Sequence, residues 1–161
     1  MAKNTLLTLF FVFLIAATAN AEVVEKIVAV VSDKVITLSD LEEEAAIERQ
    51  LGNTADKAKI LDHMIEKEIV SAEAGRLGLT VVMDEVSREI VRFEGTFPSR
   101  EAFNRFLSAY ELDLQELSRR FASYIAVSKV RQQKEAISPD RYEKWLAEMK
   151  KKVDIRIVNS E

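Results

Sequence analysis

The feature that most constrains this chain is a pair of β-branched runs near opposite ends of a sequence otherwise patterned for helices. Ile27–Val31 (IVAVV) comes early, and Val153–Ile157 (VDIRI) comes late and alternates with period two. A lone strand cannot satisfy its own backbone donors and acceptors, so the late run should pair with a strand near the beginning. That pairing predicts one domain closed end to end, from about residue 23 to residue 159.

The early run predicts a tight hairpin that leads into a helix. Ser32–Lys34 are turn residues, and Val35–Thr37 resumes the strand pattern. Ser39–Glu42 (SDLE) has the spacing of a capping box, in which the serine hydroxyl and the glutamate carboxylate each accept a backbone N–H bond. We therefore expect a helix from Ser39 to about Leu51, ended by Gly52.

Five more helices are predicted from apolar residues at three- and four-residue steps. The fold class is therefore mainly α, with about six helices and a small sheet formed by the N-terminal hairpin and the C-terminal strand. The predicted helix starts are Thr54, Asp84, Ser99, Asp113 and Ser138, the last with Pro139 in the first helical position, and the predicted stops include Gly78 and Gly95.

The longest predicted helix, which begins at Asp113, has an apolar face and a basic face. Leu114, Leu117 and Phe121 are predicted to point inward. Arg119-Arg120 and the stretch Lys129–Lys134 are interpreted as solvated basic surface.

The first residues have the organisation of a cleaved secretory signal. Lys3 gives a positive start, Leu6–Ala17 is an apolar run, and Ala19-Asn20-Ala21 is a small-x-small site, so cleavage is expected between Ala21 and Glu22. The alternative is a membrane anchor, but a helix over this run rises only about 18 Å, against a hydrocarbon core of about 30 Å. We predict a signal peptide over residues 1–21, no stable membrane anchor, and an exported, periplasmic domain over residues 22–161.

Composition excludes several kinds of site. The chain has no Cys, one His and a net charge of −4, which excludes disulfides, thiol nucleophiles and Cys-type metal sites and disfavours nucleic acid as a partner. His63 has no second His or Cys to share a metal, and the acidic run Asp40–Glu44 lacks the spacing of a calcium loop. The run is interpreted as stabilising the N-terminus of its helix. We predict no catalytic residue, metal or cofactor.

Aromatic residues are concentrated in one region. Seven of the nine that follow the predicted signal lie between Phe93 and Tyr124. One interpretation is the core of three helices. The other is an apolar crevice for extended peptides, in which flat rings give contact area at low entropic cost. Periodicity alone does not separate the two.

The order of these elements resembles the SurA-type periplasmic chaperones. The resemblance is carried by Ile27–Glu44 (IVAVVSDKVITLSDLEEE), by the Gly78-Leu79 stop with the helix start at Asp84–Val86, and by Arg141–Val158 (RYEKWLAEMKKKVDIRIV). Members of that family carry parvulin-type prolyl isomerase modules inserted just after the segment that matches Ala136–Pro139. Here Pro139 runs straight into the closing helix, so the resemblance is to a chaperone core, and isomerase activity is not carried over.

The resemblance implies ATP-independent binding of unfolded exported polypeptides, especially outer-membrane β-barrel precursors. For client contact we predict residues of the aromatic region: Phe93, Phe97, Phe103, Phe106, Leu107 and Tyr110. Two other functions stay open, an assembly or scaffold partner of one specific envelope protein and an enzyme. A domain-swapped homodimer is also open, because the last helix and strand could close onto a neighbouring chain.

Overall fold

The computed structural model of the protein describes residues 25–158. The predicted signal peptide and its cleavage site at Ala21 and Glu22 lie outside the described residues. The elements in chain order are β1 (Ile27–Val31), β2 (Lys34–Thr37), α1 (Leu38–Gln50), α2 (Lys57–Arg76), α3 (Met83–Glu94), α4 (Arg100–Ala109), α5 (Leu114–Glu135), α6 (Arg141–Lys152) and β3 (Ile155–Ile157). The mainly α prediction, with six helices and a small sheet, is confirmed.

The two ends of the described chain meet in an antiparallel sheet of order β2-β1-β3. The amide of Ser32 donates to Asp154 at 2.8 Å, and the amide of Val158 donates to Val28 at 2.9 Å. These bonds confirm the predicted closure, although β3 begins at Ile155, two residues later than expected. The strand pairs with β1 of its own chain; exchange between two chains stays a prediction.

The N-cap predicted at Ser39 is wrong, and the cap is Thr37. Its hydroxyl accepts from the Asp40 amide at 3.1 Å, while the Asp40 carboxylate accepts from the Thr37 amide at 3.0 Å. The capping box therefore exists two residues earlier than its sequence signature indicated. The reason is that β2 runs into α1 without a connecting residue, so the last strand residue caps the helix.

Two further helix starts also differ from the prediction. Asp56, and not Thr54, caps α2 by accepting from the Lys59 amide at 2.9 Å. The N-cap position of α6 is Asp140, so Pro139 lies in a turn before the helix and Ser138 does not cap it. In both places an aspartate stands two residues after the predicted cap and takes the position.

A third start differs by one residue, since α3 begins at Met83 and not at Asp84, whereas the other predicted boundaries are confirmed. Ser99 caps α4 and Asp113 caps α5, each by accepting a backbone N–H. Beyond the ends of α1 and α2, Gly52 and Gly78 have φ of +87° and +65°, which glycine adopts without steric cost. None of these helices, within residues 25–158, is long and apolar enough to cross a membrane.

The core consists of two apolar clusters that share α1 and α5. The first, here called the sheet cluster, packs the sheet against α1, α2, α5 and α6 and includes Val31, Ile65 and Leu146. The second, here called the aromatic cluster, packs α3 and α4 against the ends of α1 and α5 and includes Phe93 and Phe121. Because α1 and α5 contribute to both clusters, their relative placement determines how the two halves fit together.

The predicted faces of α5 need two corrections. Leu114 is 55% exposed, because it is the first residue of the helix and lies beyond the aromatic cluster. Arg120 is only 9% exposed, because its guanidinium turns toward carboxylates of α1. Leu117 and Phe121 are buried as predicted.

The sheet cluster can be tested with two leucines of opposite exposure. Leu146→Ala should lower the free energy of unfolding by about 2–4 kcal/mol, since it leaves a cavity beneath α6, whereas Leu114→Ala should cost less than about 0.5 kcal/mol. Urea unfolding followed by circular dichroism measures both. Equal losses for the two variants would contradict this packing.

Candidate functional site

A groove of about 570 Å³ lies between the end of α1, α3 and α5. Its apolar lining consists of the exposed Leu51 and the half-buried Ile125, with the buried Phe121 at its base. Leu51 is 40% exposed although it is a large apolar residue, because it caps the end of α1 at the mouth of the groove. The groove is thus of a size and character that can take up apolar side chains of another molecule.

The charged residues at the rim are mostly paired with each other. Lys129 donates to the Glu85 carboxylate at 2.6 Å and to the Thr80 carbonyl at 2.8 Å. The Lys129 hydrogen bond holds the pKa of Glu85 below its usual value. Arg92 pairs with Glu89 at 2.9 Å, one turn away on α3. These pairs hold the polar rim on the two helices that flank the apolar floor.

Aromatic rings continue from the groove into the protein. Phe121 lies 5.5 Å from Phe93 between ring centroids, and Phe93 lies 5.3 Å from Phe97. The series continues through Phe106, 5.2 Å from Phe97, to Tyr110 at a further 5.0 Å. The groove floor is therefore one end of a continuous row of rings that crosses the aromatic cluster.

The six residues predicted for client contact divide into two groups. Phe93, Phe103 and Leu107 are buried in the aromatic cluster. Phe97, Phe106 and Tyr110 are half-buried and pack on its outside. The groove lining, as described, comes from other residues. The three buried residues thus form part of the core of the three helices. Client contact by the three half-buried residues stays a prediction.

Tyr124 connects the groove to a buried network of charges. It lines the groove on one side, and its hydroxyl donates to the carboxylate of Glu44 on the other. Glu44 is completely buried and also accepts from the Lys67 ammonium and, at 3.4 Å, from Arg120. The Lys67 ammonium lies 4.4 Å from the centroid of the Tyr124 ring, a cation–π distance. One carboxylate of α1 thus holds side chains of α2 and α5.

Arg120 extends the network to other carboxylates. It pairs with Glu43 and lies 3.5 Å from Asp40, both on α1, and its Nε lies 3.1 Å from Glu116, one turn earlier on α5. The interpretation of Asp40–Glu44 as helix-end charges holds for Asp40, which completes the cap, but not for Glu43 and Glu44. Those two point toward α5. The interpretation of Arg120 as solvated basic surface is wrong for the same reason.

The sequence contains a signal for this buried network, namely charged residues at core-facing positions of α1 and α5. Glu44 and Glu48 occupy the same helical face of α1 as Leu41 and Ala45, which are buried. Arg120 likewise follows the buried Leu117 by three residues, which places it near the inward face of α5. Charged residues at core-facing positions of two helices are expected to pair, because an isolated buried charge is too costly.

The pKa directions agree with an ionised Glu44. Burial raises the pKa of this carboxyl, but the Lys67 charge and the hydrogen bonds from Lys67 and Tyr124 outweigh it, so the pKa is lower than usual. For Glu43, burial prevails over the attraction of Arg120, and the pKa is raised. Burial and the Glu44 charge raise the pKa of Tyr124, which keeps its hydroxyl protonated as a donor.

The other predicted basic surface of α5 is largely engaged with α2. Arg131 pairs with Glu66 at 3.3 Å, and Lys134 pairs with Glu73 at 2.9 Å. With Lys129 already paired to α3, the three cations join α5 to its neighbours. The expectation of a solvated basic face is therefore wrong for these residues.

His63 is exposed on α2, in agreement with its interpretation as a surface histidine. In the part of the chain from residue 25 to residue 158, no three His, Asp or Glu residues come together in a way that could hold a metal ion. The candidate site is accordingly the groove, whose chemistry is that of apolar contact with a charged rim.

A model of a known protein family matches most of this sequence. A family model described as the SurA-like N-terminal domain matches residues 1–131. The chain belongs to this family. The matched region contains the hairpin, α1 to α4 and most of α5, and therefore Leu51, Tyr124 and the buried network. No parvulin domain is found in the sequence, and a comparison with curated proteins finds no match.

The buried network predicts a large difference between two neighbouring glutamates. Glu44→Gln should lower the free energy of unfolding by about 2–4 kcal/mol, because Lys67 loses its charged partner in a buried setting. Glu42→Gln, at an exposed pair with Lys57, should cost less than about 1 kcal/mol. Urea unfolding at pH 7 measures both values.

The difference should also depend on pH. Because the folded-state pKa of Glu44 is lowered, its ionisation stabilises the fold above the ordinary value of 4.5, and this stabilisation is lost as the pH falls through the folded-state pKa. The gap between the wild-type chain and Glu44→Gln should therefore shrink in acid. A gap that is constant or widens toward low pH would show that Glu44 is not held ionised.

Proposed function

We propose that this protein is an ATP-independent periplasmic chaperone core that binds unfolded exported polypeptides in the groove between α1, α3 and α5. The observation that carries the proposal is the combination of family membership with an open apolar groove in the matched region. SurA-like N-terminal domains are the chaperone part of their family. A groove lined by Phe121, Ile125 and the exposed Leu51 gives that role a physical surface.

The clients we propose are precursors of outer-membrane β-barrels. Their strands alternate apolar and polar residues, so an unfolded precursor carries many short apolar segments separated by polar ones. A groove with an apolar floor and a charged rim matches one such segment at a time. Affinity for a single segment should be modest, which allows release without ATP.

The proposed place of action is the periplasm. The support is that residues 1–21 have the three parts of an export signal, which are a positive charge, an apolar run and a small-residue site. We further propose that the protein acts without prolyl isomerase activity. The support is that the segment Ala136–Pro139 leads directly into α6, where related chaperones carry the isomerase insert.

The groove assignment predicts that Leu51 contributes to chaperone activity. Leu51→Ser should weaken suppression of client aggregation by about threefold, since it removes apolar area from the mouth of the groove. The assay is light scattering of a urea-denatured outer-membrane β-barrel diluted into buffer with the protein. The matched control is Leu114→Ser, which alters another exposed leucine, one that lies outside the groove.

Both variants should keep the wild-type melting curve, because neither side chain is buried. Loss of suppression in Leu51→Ser alone would support the groove. Equal activity in both variants would exclude Leu51 from the client site, and no suppression by the wild-type protein would exclude the chaperone function itself.

A further inference from the structure

Among residues 25–158, Arg88 is the one cation of the groove that forms no close ion pair, although its charge acts on Glu85 at longer range. Three cations line the groove, Arg88, Arg92 and Lys129, against two carboxylates, Glu85 and Glu89. The groove therefore has a positive surplus on a chain whose net charge is −4. A surplus of this sign, in an acidic protein, marks the groove as a place where a negative group of a ligand is favoured.

The positive charge that is left over after the two ion pairs of the groove is that of Arg88. Glu89 forms an ion pair with Arg92, and the Glu85 carboxylate accepts hydrogen bonds from both Lys129 and the Val82 amide. Arg88 itself is exposed, and within residues 25–158 it has no carboxylate within 4.0 Å. Its guanidinium keeps its hydrogen-bond donors available beside the apolar floor.

We propose that Arg88 selects client segments in which an Asp or Glu side chain lies next to apolar residues. The inference rests on the proposed function and names a preference of the same groove. The apolar residues of such a segment would contact Leu51 and Ile125, above the buried Phe121, and its carboxylate would accept from Arg88. A guanidinium is suited to this pairing, because its planar fork can donate two parallel hydrogen bonds to one carboxylate.

The proposed occupant is an internal segment, because an acidic side chain flanked by apolar residues complements both Arg88 and the apolar lining of the groove. The pair would be partly solvated, so its effect should be modest. We expect a preference of about three- to fivefold for an acidic over a neutral segment. The preference should fall as salt is added, since exposed charges are screened.

The test uses short peptides with apolar residues at alternating positions and a single central Glu, Gln or Lys. These three are amidated at the C-terminus, and a fourth peptide, with a central Gln, keeps a free C-terminal carboxylate. All carry an uncharged coumarin at the N-terminus, and binding is measured by fluorescence anisotropy at low salt. Wild-type protein should bind the Glu peptide most tightly and the Lys peptide least. Arg88→Gln should bind the Glu and Gln peptides alike.

The matched control is Arg141→Gln, which removes an exposed arginine of α6 that does not line the groove. It should keep the wild-type preference. If wild-type protein binds the Glu and Gln peptides equally, or Arg88→Gln keeps the preference, the inference is overturned while the proposed chaperone function stands.

Two other outcomes would also overturn it. A Gln peptide with a free C-terminal carboxylate that binds as tightly as the Glu peptide would show that the chain terminus is the ligand. Failure of every peptide to bind the wild-type protein would remove the groove as the client site. The proposed function is then decided separately by the aggregation assay.

Discussion

The rest of the structure depends on the hydrogen bonds and ion pairs that one buried carboxylate, that of Glu44, forms with neighbouring helices. This carboxylate is completely buried, and it contacts the Lys67 ammonium of α2 and both Arg120 and Tyr124 of α5. Since α1 and α5 contribute to both apolar clusters, this one group fixes the helices that join the two halves. The same contact holds Tyr124 in the wall of the groove.

Such a network need not make the fold more stable than an apolar core of the same shape would be, because each buried charge loses its hydration. Its effect is on arrangement. Apolar contacts tolerate sliding and rotation, whereas Glu44 meets its partners in one relative position of α1, α2 and α5. The network thereby fixes α1 and α5, two of the three helices around the groove.

Much of the fold follows from local sequence rules, because period and caps are local properties. The end-to-end sheet followed from the two β-branched runs, and Asp113 and Gly52 marked real boundaries. The groove and the network could not be predicted in the same way. The pairing of Arg120 depends on Glu43 and Glu44, more than seventy residues away in the chain, so no local rule identifies its partners. The aromatic region was found, but sequence could not say which rings are exposed.

The most direct test of the groove as the client site is photo-crosslinking from two adjacent glutamines of α5. Gln132 lines the groove, whereas its exposed neighbour Gln133 does not. Benzoylphenylalanine would replace each glutamine in turn. The protein would be mixed with an outer-membrane β-barrel precursor that has been diluted out of urea, and the mixture would be irradiated. The account predicts a strong crosslink to the precursor from position 132 and a weak one from position 133. Equal yields, or a stronger crosslink from position 133, would contradict it.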